Sequence, residues 1–118
     1  MNKIERVEKN ARLSRAVVHN GLIWLSGIVA NDFNEDIHVQ TQQVLARLDE
    51  MLEKTGSSKA RLLTVQIWLK DIVADFDGMN EEWSKWVCEN EQPARATAGV
   101  SFDDENIRIE VVAVAATL

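Results

Sequence analysis

The sequence predicts an α+β domain: one mixed β-sheet with two helices packed on a single face. Three observations predict it. Asn20-Gly21 stands between two apolar runs, the signature of a tight hairpin. Two later stretches repeat apolar residues at the helical period, and the segments after each alternate at the strand period. A helix connecting two strands suits a parallel pair with a right-handed crossover, and both helices then fall on one side of the sheet.

In chain order, residues 3–7 read as a short first strand. Ala16-Val17-Val18-His19 and Leu22-Ile23-Trp24-Leu25-Ser26 are the arms of the hairpin. Asn-Gly between them suits the positive φ angles of a type I′ turn. Residues 28–36 carry Asn31, Asp32, Asn34 and Asp36 and read as loop. The first helix spans about 37–55. Val44, Leu45, Leu48, Met51 and Leu52 make its apolar stripe, with Asp36 as N-cap and Gly56 as stop.

Arg61 to Lys70 reads as a strand, with Leu63, Val65, Ile67 and Leu69 on one face and Thr64, Gln66, Trp68 and Lys70 on the other. The second helix runs from Phe76 to Asn90, capped by Asp75, with Phe76, Met79, Trp83, Trp86 and Val87 as its stripe. Short strands follow at 96–101 and 107–116. The order is β-β-β-α-β-α-β-β.

At 118 residues the chain fits one domain, 1–118. No apolar run approaches the ~20 residues of a membrane span, and the charged start Met1-Asn2-Lys3-Ile4-Glu5-Arg6 lacks a signal-peptide core, so the expectation is a cytoplasmic protein away from membranes. The net charge of −6 opposes nonspecific nucleic-acid binding. An anionic ligand therefore needs a locally positive site. Cys88 is the single cysteine, which excludes an internal disulfide and reads as a small filler. His19 and His38 show no metal-ligand spacing with each other or with Cys88. Phosphate loops, dinucleotide fingerprints and Gly-x-Ser-x-Gly elbows are all missing, and no cofactor is expected.

Two residues stand out chemically. Arg95, in Pro93-Ala94-Arg95-Ala96-Thr97, lies where the chain leaves the second helix and enters a strand. A guanidinium grips a carboxylate at two points; the alternative is a surface arginine paired with one of the 19 acidic residues. Glu110 lies among β-branched residues in Ile107-Arg108-Ile109-Glu110-Val111-Val112. There a carboxyl can have a raised pKa and move protons; the alternative is a solvated position paired with Lys70 or Arg108. If Ile107, Ile109 and Val111 face the helices, then Arg108, Glu110, Val112 and Val114 join Gln66 and Trp68 on the other face. That face is too apolar for water and too polar for a core, as an oligomer interface holding a site would be.

The chain resembles the Rid (YjgF-like) family of reactive imine deaminases over nearly its whole length. The matching pieces are Ala16-Val17, Leu25-Ser26-Gly27, Gln40-Thr41 to Leu52, Val65-Gln66-Ile67-Trp68-Leu69-Lys70-Asp71, Asp75-Phe76 with Met79-Asn80, Pro93-Ala94-Arg95-Ala96-Thr97, and Ile109-Glu110-Val111. The resemblance implies a Bacillus chorismate-mutase-like fold and a homotrimer with three sites between subunits. It implies hydrolysis of enamines and imines such as 2-aminoacrylate to a 2-oxo acid and ammonia. By position, Arg95 would hold the substrate carboxylate, Glu110 would position or activate water, and Gly27 would contribute backbone at the pocket mouth. Leu13 stands where many members have a pocket tyrosine, Thr97 where a cysteine is frequent, and Val112 where a second glutamate often follows; Leu13 and Thr97 thus belong to the implied substrate pocket. An iminium carbon is already electrophilic, so neither a metal nor a covalent nucleophile is required. The alternative function is a non-catalytic trimer that binds a small carboxylate or serves as an interaction scaffold. A chorismate-mutase-like isomerase follows from fold alone, which is poor evidence for function.

Overall fold

The computed structural model describes residues 3–118. Seven strands form one sheet: β1 (Glu5–Lys9), β2 (Ser14–His19), β3 (Leu22–Leu25), β4 (Ile28–Val29), β5 (Leu62–Leu69), β6 (Ala94–Gly99) and β7 (Ile109–Ala116). Their order is β1-β2-β3-β7-β5-β6, with β4 also on β7. The β5–β6 pair is parallel and all other pairs are antiparallel. Helices α1 (Ile37–Lys54) and α2 (Ile72–Trp86) connect β4 to β5 and β5 to β6.

The hairpin forms as the sequence predicts. Asn20 and Gly21 both have positive φ, 50° and 79°, as a type I′ turn requires. Helix α1 starts at the expected cap: the Asp36 carboxylate accepts from Val39 N at 2.9 Å. Gly56, at φ 82°, lets the chain turn away after it. Val44, Leu45, Leu48 and Leu52 are buried against Ile23, Val65, Ile67, Ile109 and Val111 of the sheet. Each such side chain contributes about 1.5–3 kcal/mol of burial.

Four expectations need correction. Residues 28–36 are not all loop, because Ile28 and Val29 pair with Val111 and Glu110 as β4. Helix α2 spans Ile72–Trp86 and not Phe76 to Asn90, because Asp71 rather than Asp75 is its cap, accepting from Ala74 N at 3.0 Å, and Val87 is already extended; Phe76 is then exposed and outside the buried stripe. Asp75 is buried in the first turn. Leu63 is 46% exposed and Leu62 only 5%, since a register shift between Leu62 and Thr64 on β5 inverts the alternation at the strand's start. Finally, Arg108 does not join Glu110 on the open face. Its guanidinium reaches 3.3 Å from the Asp75 carboxylate of α2.

From Ile109 onward the alternation holds. Ile109, Val111, Ala113 and Ala115 are buried beneath the helices, while Glu110, Val112 and Val114 are partly open on the other face. Trp24, 42% exposed, lies across from both Val17 and Val114 on that face. Gln66 and Trp68 lie across from Val112 and Glu110.

Candidate functional site

Arg95 is the second residue of β6, at the sheet edge. It pairs in register with Val65, which is fully buried under the helices, so its side chain projects to the helix side. There Nη1 donates to Asn80 Oδ1 of α2 at 2.7 Å, and Cζ lies 5.3 Å from the Trp83 ring centroid. Among the described residues no carboxylate lies within ion-pair distance of it. The alternative of a surface arginine paired with an acid is therefore not what forms. Partial burial holds its pKa below the ordinary arginine value, yet a guanidinium remains charged at neutral pH. Thr97, two residues on, pairs with Ile67 and shares the helix side.

Glu110 is on the opposite face, across from Trp68. Its carboxylate packs against Gly27, where a β-carbon would run into it. Gly27 lies where the pairing with β7 slips by one residue, between Trp24–Val114 and Ile28–Val111. The glycine leaves the carboxylate its present place, which a β-carbon at residue 27 would take. Neither Lys70 nor Arg108 pairs with Glu110: the Lys70 ammonium donates to the Glu105 carbonyl, and Arg108 turns to Asp75. Burial pushes the Glu110 carboxyl above its ordinary 4.5, and the nearby Asp103 charge adds to this. A shallow cavity of about 260 Å³ holds Glu110, Trp68, Val100, Phe102 and Asp103.

Leu13 is 49% exposed at the β1–β2 turn. The residue after it, Ser14, accepts from the Ser26 hydroxyl at 2.5 Å, which ties this turn to the chain beside Gly27. The five predicted site residues thus form two groups. Arg95 and Thr97 share the helix side at the β6 edge; Gly27 and Glu110 meet on the helix-free face, with Leu13 anchored near them. One chain does not bring Arg95 and Glu110 together.

Sequence reasoning missed Asn80 as the partner of Arg95 and assigned Trp83 to the core alone. It also left Phe102 and Asp103 out of the Glu110 pocket. A signal existed for the first pair: Asn80 and Trp83 are three apart on one helix, so they share a face. Among the described residues no cluster of three or more His, Cys, Asp or Glu side chains could hold a metal ion, and no helix is long and apolar enough to cross a membrane.

A mixed sheet with two helices on one face, an arginine at its edge strand and a glutamate over a glycine define an α+β class of protein in which these two charged groups sit on opposite faces of the sheet. The family described as "Endoribonuclease L-PSP" matches residues 3–117. The chain is 34% identical over 113 residues to a "RutC family protein" of Haemophilus ducreyi, covering 96% of each. A crystal structure of a YjgF-family protein from Neisseria meningitidis superposes with a TM-score of 0.95 at 36% identity, covering 99% of this chain and 97% of that one. A chloroplastic "Reactive Intermediate Deaminase A" of Arabidopsis thaliana is 32% identical over 108 residues, which cover 86% of this chain and 57% of that protein. The chain belongs to the Rid (YjgF-like, L-PSP) family.

Proposed function

We propose that this protein hydrolyses reactive 2-imino acids and their enamine tautomers, of the 2-iminopropanoate type, to 2-oxo acids and ammonia. The observation that carries the reading is Arg95: a half-buried guanidinium with no carboxylate partner among the described residues, in a chain of net charge −6. Such a group is suited to an incoming small carboxylate, which it can grip with two parallel hydrogen bonds. The same acidic balance disfavours RNA as the ligand, despite the wording of the family description. The name of the Arabidopsis relative supports the same chemistry.

Glu110 supplies the second function. In the proposed reaction its carboxylate takes a proton from water as the water oxygen bonds to the iminium carbon. Glu110 returns that proton to the nitrogen of the tetrahedral adduct; as the C–N bond breaks, the hydroxyl oxygen closes the C=O bond and releases its proton, which leaves with the ammonia as ammonium. A carboxyl with a raised pKa is better matched to this exchange than an ordinary one.

The separation of the two groups supports a site shared between subunits: Arg95 and Glu110 can serve one substrate when different copies of the chain supply them, as in the homotrimer that the family resemblance implies. The helix-free face bearing Val17, Trp24, Gln66, Trp68 and Val114 is the proposed contact surface. The test is a coupled assay in which an amino-acid oxidase generates imines and their loss is followed with and without this protein. Accelerated loss is expected. Pyruvate binding without acceleration would favour the non-catalytic carboxylate-binding protein instead.

A further inference from the structure

We propose that Asn80 and Trp83 are positioning residues that aim the Arg95 guanidinium and leave its charge free, so that the site accepts a small carboxylate from outside. The inference rests on the reading of Arg95 as the carboxylate clamp. Asn80 and Trp83 are three residues apart on α2 and reach Arg95 from the same helix face. Asn80 takes one N–H of Nη1 at 2.7 Å. Trp83 presents its ring to Cζ at 5.3 Å, a cation–π contact on the guanidinium.

The platform is itself anchored. Trp83 is buried and packs against Trp86, with ring centroids 5.5 Å apart and planes tilted by 47°. Trp86 Nε1 donates to Asp49 of α1 at 2.8 Å, and Lys59 Nζ lies 5.1 Å from its ring. Two aromatic rings therefore connect α1 to the guanidinium at the sheet edge. A flexible arginine would lose rotamer freedom on gripping a ligand; one already held loses less.

The chemistry of residue 80 matters as much as its place. An amide oxygen accepts a hydrogen bond without carrying charge. A carboxylate at the same 2.7 Å would form an internal ion pair and compete with the ligand. Asparagine orients Arg95 and leaves it cationic.

Three variants test this on the assembled protein, with pyruvate as the probe titrated by calorimetry. Asn80→Asp should raise the pyruvate Kd at least ~10-fold while leaving the melting temperature unchanged or higher, because the new ion pair occupies the fork. A purely structural Asn80 makes the opposite forecast: the ion pair would hold Arg95 at least as well, and binding would stay at wild-type strength. That result overturns the proposal. Should Asn80→Asp fold poorly, Trp83 carries the test. Trp83→Phe keeps a ring face and should bind within ~3-fold of wild type, whereas Trp83→Leu should bind at least ~5-fold more weakly. Equal affinities for Trp83→Phe and Trp83→Leu contradict the role given to the ring. Arg95→Ala separates the two levels: if it binds pyruvate like wild type, the clamp itself is wrong; if it loses binding while Asn80→Asp keeps it, only the positioning role fails.

Discussion

Arg95 and Glu110 project from opposite faces of one sheet. Arg95 pairs with Val65 beneath the helices, and Glu110 pairs with Trp68 on the helix-free face. A strand's alternation therefore turns the two side chains of a single chain away from one another.

Glu110→Gln preserves shape and removes the proton-accepting group. Imine hydrolysis should slow at least ~10-fold, the low end for a lost general base, while pyruvate binding stays near wild type. In the proposed reaction the ionised form accepts the proton, so activity should rise with pH through a value above the ordinary 4.5. Asp103→Asn removes one of the two causes of that elevation and should move the acidic limb of the pH profile downward. A profile that does not shift would dissociate Asp103 from Glu110.

Gly27→Ala places a methyl group where the Glu110 carboxylate now sits. The carboxylate must swing away, so the variant should fold and yet lose activity to about the extent of Glu110→Gln. Wild-type turnover would show that the carboxylate's present position is not the working one.

Helices α1 and α2 are joined by a pH-sensitive contact. His38 Nδ1 lies 2.9 Å from Glu82 Oε2, with Glu81, Asp36 and Lys85 nearby. The hydrogen bond to Glu82 holds His38 above its ordinary 6.5; Gln42 and His38 hold Glu82 below its ordinary 4.5. A raised histidine pKa stabilises the fold fully below 6.5 and ceases to do so as pH rises through the elevated value. A depressed carboxyl pKa stabilises above 4.5 and ceases to do so as pH falls through the lowered value. The stability difference between wild type and His38→Gln should therefore be largest between 4.5 and 6.5. Thermal melts across pH measure it, and a difference independent of pH would sink the assignment.

The shift at the start of β5 predicts unequal neighbours. Leu62→Ala should cost about 2–5 kcal/mol, as for a buried leucine. Leu63→Ala, at an exposed side chain, should cost well under that, within about 0.5 kcal/mol. Denaturant unfolding of both variants tests the order, and a larger loss at Leu63 would restore the simple alternation.

Much of the fold was legible because its signals are local. Asn20-Gly21 carries its own turn geometry, and the Asp36 cap and Leu48 stripe follow from helical spacing. The misreadings arose where a local signal had two solutions or none. Asp71 and Asp75 both suit an N-cap, and only the path from Leu69 selects the first; the other then became a buried partner for Arg108, which left the open face. The β5 shift has no marker, since Leu62 and Leu63 are identical in type. For the site, the types at Arg95 and Glu110 were readable from their neighbours. That Asn80 and Trp83 grip Arg95 depends on the packing of α2 against β6, which spacing within either element does not encode.

The most direct measurement mixes two inactive variants. Arg95→Ala and Glu110→Gln are each expected to be nearly inactive, one lacking the clamp and the other the base. If each site takes Arg95 from one copy and Glu110 from another, trimers reassembled from equal amounts should restore about a quarter of the sites. Imine hydrolysis should then recover to roughly that fraction of wild type, with trimers confirmed by light scattering. If mixed trimers form and activity remains at the level of the separate variants, Arg95 and Glu110 do not meet across a subunit boundary.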